Sequence, residues 1–283
     1  MSSNRISSLL AWCAANGIVI DPRIEVVEHD TAALSCSGPF FDLVGENTLS
    51  RTTSSEPSIR VCSRREHIDF PCTLVYIPKT AVLSAKSCFF APQITPIPYG
   101  HGAQLTLALA LYGELLRGSE SRWFGYLQSL PRKTVDIAAF WAAHVANLEC
   151  CVNPNAGQEG SVTCSIPLGT NCSHCTRIHD ERNARAWLGA TEAEKELRNL
   201  LAEIYQYYMD VVEPMLRQVC NLGQPQSAIC GKEDASDQDS TTANPGFKAT
   251  SLSGFCHAYS LVSSRAFWVD AYHGLSMVPI ADA

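Results

Sequence analysis

The stretch running from Ala258 to Ala283, AYSLVSSRAFWVDAYHGLSMVPIADA, decides how this chain is read. Leu252, Phe255, Tyr259, Val262 and Ala266 recur at helical spacing, so order is expected to resume at Ser251 and to carry a helix into that stretch. The chain then turns through Gly274 into the apolar run Ser276 to Ile280.

Upstream of it, Leu222 to Thr250 is rich in Gln, Ser, Asp, Thr, Gly and Pro and has little to bury, which predicts a disordered or mobile loop over 223–250. Before that loop, Thr191 with Glu194 three residues later forms a capping box, in which each side chain can satisfy a free N–H of a helix's first turn. Leu197, Leu200, Leu201, Ile204, Tyr208, Val211, Val212, Met215 and Val219 continue as an apolar stripe, so a helix is expected from about 192 to about 220. Pro214 lies inside the stripe and predicts a kink or a break, because proline removes one backbone donor and clashes with the preceding turn.

Further toward the N-terminus, Leu105, Leu109, Tyr112, Leu115 and Leu116 keep helical period from Gly102 to Arg117, and Trp123, Phe124 and Leu127 form a short apolar turn. Cys72 to Ile77 (CTLVYI), bounded by Pro71 and Pro78, predicts a buried strand, and Ala81 to Cys88 a short helix. Ile18 to Ser58 predicts short strands joined by loops. Residues 1–17 are open to two readings. Arg5 followed by Leu9 to Ala15 imitates a signal peptide. Ile6, Leu9, Leu10, Cys13 and Ala14 at i, i+3, i+4, i+7 and i+8, with Gly17 to end them, fit an amphipathic helix better.

Bulk composition removes several classes. The 46% apolar residues suffice for a core, and 21 basic against 28 acidic residues give a net charge of -7 with no basic block, which argues against direct nucleic-acid binding through phosphates. No run approaches the roughly 18 to 20 apolar residues that cross a bilayer. The 13 cysteines are scattered and odd in number, which fits reduced thiols of a nuclear or cytoplasmic protein. Cys150, Cys151, Cys164, Cys172, His174, Cys175 and His179 include one Cys-x-x-Cys knuckle, but a zinc site needs a second well-spaced pair, so no metal ligand is assigned. His101, His144, His257 and His273 show no hydrolase spacing and read as structural or exposed.

The closing stretch resembles the segment that leads into the active site of SET-domain protein methyltransferases of the Rubisco large-subunit methyltransferase-like branch. Ser264, Arg265, Ala266 and Phe267 match that family's Ser-Arg-x-Phe helix end. Met277, Val278, Pro279, Ile280, Ala281 and Asp282 match its strand reading roughly Val-Pro-x-x-Asp. Leu74 to Cys88, Ser121 to Val135 and Trp187 to Leu216 resemble further family segments in the same order along the chain. The resemblance implies an α+β fold, an incomplete SET β-fold with a large helical insertion, with S-adenosylmethionine as methyl donor and a protein lysine as acceptor. It implies a cofactor-binding role for Arg265, whose bland alternative is a salt bridge at a helix end, and a substrate-binding role for Asp282, whose alternative is a turn or cap residue.

The same comparison exposes departures. The family's Gly-x-Gly cofactor loop falls near Ser58, Ile59, Arg60, Val61 and Cys62, and no glycine occurs between Gly45 and Gly100, so these positions receive no binding role. The family's Asn-His motif follows within a few residues of the Val-Pro strand, and none occurs in the 283 residues. No catalytic residue is therefore assigned, and the chain as written is expected to be truncated, inactive, marginally stable and left with an exposed strand edge. The expected organisation is an N-terminal helix over 1–17, a first SET part over 18–143, a helical insert over 163–222, the loop 223–250 and a returning SET segment over 251–283. Beside the methyltransferase reading stands a second one, a non-catalytic SET-like protein-interaction module, motivated by the missing glycines. A zinc-dependent scaffold ranks third.

Overall fold

The computed structural model describes residues 2–29, 58–64, 71–135, 137–140, 191–221 and 251–281. Most of the segment between Thr31 and Ser58, the cysteine and histidine cluster from Cys150 to His179, His144, Trp187, the loop 223–250 and Asp282 lie outside them. The described chain is α+β, with helices and three small antiparallel sheets, and it divides into two compact units.

The first unit holds residues up to Ala81, Gly125–Lys133 and the residues after Met277. Helix α1 (Ser2–Ala15) buries Leu9 and Cys13, one turn apart, whereas Leu10 and Ala14 face outward, so the buried stripe is narrower than its apolar spacing suggests. Gly17 at φ 71° ends it, and the Ile18 N–H reaches back to the Cys13 carbonyl (2.9 Å), the closing bond of a left-handed helix stop. Arg5 donates to the carbonyls of Gln128, Ser129 and Leu130 (3.1–3.2 Å) and faces Glu28 at 3.5 Å. One guanidinium thereby satisfies three carbonyls at the end of a turn.

Strands β1 (Val19–Ile20) and β2 (Ile24–His29) follow, and β2 pairs with β3 (Ser58–Ser63) in unbroken antiparallel register from Ile24↔Ser63 to His29↔Ser58. The expected strand Cys72 to Ile77 shortens to β4 (Val75–Tyr76), paired with the equally short β1. Cys72 and Thr73 are exposed, because only two residues of β1 are present to pair with this run.

The second unit holds Val82–Phe124 and Thr134–Met277. The expected helix over 81–88 does not form. A 3-10 turn over Lys79–Ala81 gives way to β5 (Leu83–Ser84), and the Ser87 hydroxyl then accepts from the Ser84 N–H (2.8 Å) and donates to the Val82 carbonyl (2.9 Å). Serine hydroxyls offer the backbone this local alternative to helical bonding. Helix α2 (Gly100–Arg117) is buried on nearly every side from Leu105 to Glu114, which accounts for its almost continuous apolar sequence. The short α3 (Phe124–Leu127) follows, and from Gly125 it belongs to the first unit.

Thr191 caps α4 (Glu192–Tyr207), its hydroxyl accepting from the Glu194 N–H at 3.2 Å, as the capping box predicts. Pro214 does not break the helix. The chain widens into a π-turn over Tyr208–Val212 and continues as α5 (Glu213–Asn221). A π-turn immediately before the proline makes room where the ring would meet a carbonyl of the preceding turn. Where α4 passes into that turn, Tyr207 and Tyr208 both lie against Phe255 with centroids 6.0 Å away.

Helix α6 (Leu252–Arg265) packs along α2 and is capped by Ser251, whose hydroxyl accepts from the Gly254 N–H (3.1 Å). It leads into β6 (Phe267–Asp270) and β7 (Gly274–Met277), whose turn is held by Asp270 accepting from the N–H groups of Tyr272 (2.9 Å) and His273 (2.7 Å). The sheet order is β5-β7-β6, all antiparallel, with Leu83 opposite Met277 and Phe267 opposite Ser276. The strand expected over Met277 to Asp282 instead ends at Met277. Pro279 and Ile280 turn, and Ile280 takes φ 71°, an uncommon conformation for a β-branched residue.

The buried Tyr112 hydroxyl accepts from the Ser251 N–H (2.7 Å) and donates to the Ser251 carbonyl (3.2 Å), so it holds the residue at which the chain re-enters the core. Burial raises its pKa well above the ordinary phenol range. Tyr112→Phe leaves both Ser251 backbone groups without that partner and is expected to cost about 1–3 kcal/mol, read from the midpoint of urea unfolding.

Candidate functional site

Arg265 stands at the last turn of α6, where a cation suits the carbonyl end of the helix. Its guanidinium donates to the neighbouring Ser264 hydroxyl (2.9 Å), and no carboxylate pairs with it among the described residues. Among the described residues the guanidinium thus keeps donors for an incoming anion. Ser264 in turn donates to the Ser260 carbonyl (2.8 Å), which ties the helix end together.

Directly after Arg265 the chain enters β6, and β7 lies between β6 and β5. Two stretches distant in sequence therefore meet in one sheet: that around Leu83, and that from Ala258 onward. Asp282 lies outside the described residues, so Arg265 alone of the two assigned side chains has a defined position. Ser58 to Cys62, where the resemblance implies a glycine loop, form most of the regular strand β3 in the first unit.

Among the described residues, a polar constellation that the sequence did not announce lies in the second unit. His101, in the first turn of α2, has Nδ1 2.7 Å from the Glu203 carboxylate on α4 and Nε2 3.0 Å from the Tyr259 hydroxyl on α6. The Tyr259 hydroxyl also donates to Gln104 Oε1 at 3.3 Å. The imidazole thus links three helices, and the ring of Tyr259 meets it edge-on. Burial, reinforced by Glu203 and Cys256, pushes the Tyr259 hydroxyl up to about 12, so this tyrosine holds its proton near neutral pH and acts as a hydrogen-bond donor rather than a nucleophile.

A second cluster surrounds Glu114, which is fully buried. One carboxylate oxygen accepts from the Phe89 N–H (2.6 Å), and the other faces Arg117 at 3.6 Å. Arg117 also lies over the Phe89 ring (4.4 Å), and Arg122 covers Trp123 (3.9 Å). The nearby Cys88 thiol is pushed up to about 12, chiefly by burial, and Cys256 rises to about 12 for the same reason. Neither is a thiolate at neutral pH, so these groups serve packing rather than nucleophilic chemistry.

Cys13, Cys62, Cys72, Cys88 and Cys256 are free thiols. Among the described residues no group of three or more His, Cys, Asp or Glu side chains is arranged to hold a metal ion, and no described helix is long and apolar enough to cross a membrane. The cysteine cluster from Cys150 to His179 lies outside these residues. Compared in sequence with known protein families and with curated proteins, the chain matches no family model and no curated protein.

Proposed function

We propose that this chain serves an S-adenosylmethionine-dependent, SET-type protein-lysine N-methyltransferase. One observation carries the reading. The stretches that resemble the family, around Leu83 and from Ala258 onward, lie far apart in sequence yet pair as adjacent strands β5 and β7, and the Ser264–Arg265 helix end opens directly onto that sheet. Bound there, the cofactor would supply an electrophilic methyl group for a deprotonated lysine amine.

Arg265 fits a part of that cofactor. Its guanidinium has only the Ser264 hydroxyl as a described partner, and a planar cation with free donors suits the carboxylate of the methionine moiety. What this side chain contributes is anchoring and orientation. The 283 residues contain no Asn-His pair, so the reading is tested through cofactor binding rather than turnover.

Titration of the purified chain with S-adenosylmethionine in a calorimeter is expected to give saturable binding, weakened about tenfold or more in Arg265→Ala, the loss that accompanies one charge-assisted contact. Absence of binding, or binding indifferent to Arg265→Ala, would sink the assignment. A second reading, the non-catalytic interaction module, is favoured by Ser58–Ser63 forming an unbroken strand where the family opens a glycine loop, and absence of cofactor binding would leave it standing.

A further inference from the structure

We infer that the second unit carries a docking surface for a lysine- and arginine-rich polypeptide segment, built from the exposed Tyr99–Trp268 ring stack and the acidic row Glu196, Glu203 and Asp210. Tyr99, just ahead of α2, and Trp268 on the edge strand β6 stack with centroids 4.8 Å apart and an interplanar angle of 14°. They nevertheless remain 69% and 41% exposed. Two large rings held parallel and left open to water present apolar area that a partner can bury, and their faces carry the negative end of the ring quadrupole.

Other aromatic rings of this unit already lie against cations. At the β6–β7 turn, the Lys86 ammonium lies over the Tyr272 ring at 4.8 Å. Arg117 and Arg122 likewise cover aromatic rings elsewhere in the unit. An arginine or lysine of a partner would add the same contact to the open face of Tyr99.

Charge selects the rest of the occupant. Two residues after Tyr99, His101 meets Glu203, which connects the ring stack to α4 through one side-chain contact. Glu196 and Glu203 stand seven residues apart on α4, about two helical turns, Asp210 follows in the π-turn that continues the helix, and all three are exposed. Lys195 and Arg198 of α4 pair with Glu192 and Glu194, and Arg217 of α5 with Glu213, so among the described residues no lysine or arginine pairs with these three acids, of which Glu203 meets His101 and Asp210 accepts from Gln206. With a net charge of -7 over the whole chain, an acidic partner or a phosphate backbone is repelled, whereas a basic segment is attracted both by the row and by the rings. The surface stands on this geometry alone. It also supplies a substrate class for the proposed methyltransferase, a basic segment bearing the target lysine, and in that use it rests on that reading.

The test is fluorescence anisotropy with a fluorescein-labelled peptide of lysine, arginine and serine, alongside a glutamate and serine peptide of equal length. The basic peptide is expected to bind and the acidic one not. Trp268→Ala is expected to weaken binding about tenfold, and Glu196→Gln with Asp210→Asn to weaken it and flatten its salt dependence. Glu25→Gln, an exposed acid of the other unit, should leave it unchanged, and circular dichroism establishes that each variant is folded. Equal binding by Trp268→Ala, an equal loss in Glu25→Gln, or no binding of the basic peptide would overturn the surface. Cofactor binding without peptide binding removes this surface and leaves the methyltransferase reading, while the converse removes that reading and leaves the surface.

Discussion

Gly113→Ala is expected to destabilise the second unit by about 2–4 kcal/mol, the upper range for forcing one extra carbon into a packed core. A Cβ at Gly113 would sit 2.2 and 2.4 Å from two ring carbons of Phe90, well inside any permitted contact. The ring cannot swing away cheaply, because Phe90 is 1% exposed and is held edge-on by Phe89 at 5.3 Å. Phe89 in turn is fixed by its N–H to the buried Glu114 carboxylate. Helix propensity would favour alanine by up to about 1 kcal/mol, so the sign of the effect separates packing from propensity. Combining Gly113→Ala with Phe90→Leu should restore part of the loss, a coupling of about 1 kcal/mol or more between touching residues. Urea unfolding of the two single variants and the double variant measures it, and an unchanged or raised midpoint in Gly113→Ala would show that the helix and the Phe90 segment are not in close contact.

The second large effect belongs to Phe255→Ala, for which a loss of about 3–5 kcal/mol is expected. Phe255 is fully buried on α6 and touches the rings of Tyr112, Tyr207 and Tyr208, with centroids 6.0–6.1 Å away. Its removal strips the shared partner of two consecutive tyrosines at the start of the π-turn. The cavity would therefore lie where three helical segments meet, and the surrounding rings are too constrained to collapse into it. Amide hydrogen exchange would read the result locally, with residues 201–212 expected to lose protection more than residues 2–15 of the other unit. Equal loss in both units would mean that they unfold together, and no loss would mean that the π-turn does not depend on this ring.

Much of the α+β architecture could be read from local chemistry. The cap at Thr191, the stop at Gly17, the start at Ser251 and the turn before Gly274 each depend on groups within a few residues, and all occur where the side chains placed them. The expected strand at Cys72 to Ile77 shortens to two residues, the helix at Ala81 to Cys88 does not form, and the strand expected from Met277 onward ends there. The strand at Cys72 to Ile77 and the helix at Ala81 to Cys88 both follow reasonable propensities, but β1 offers only two residues to pair, and Leu83 is claimed by Met277 across the sheet. Pro214 was legible as a disturbance but not as a π-turn, because whether a helix breaks or widens depends on the packing that rewards each outcome. Here Leu201, Ile204, Val212 and Leu216 stay buried on both sides of the proline, and keeping them buried requires the helix to continue.

The candidate site divides along the same line. Arg265 was marked by its place in a Ser-Arg-x-Phe stretch at a helix end, and its position follows from the helix alone. The His101 link to Glu203 and Tyr259 left no trace in spacing, since its members stand 102 and 158 residues apart. The exposed Tyr99–Trp268 stack was equally silent, because sequence reports that a ring is apolar and not whether a neighbour covers it. By itself the sequence determined the helix stop at Gly17 and the caps at Thr191 and Ser251, which face of α4 is buried and which charges are in excess, because those depend on periods and caps spanning one or two turns. Only the tertiary structure decided which distant strands pair, which histidine is shared among helices and which aromatic faces stay open to water, because these depend on side chains that the chain brings together only after it has packed.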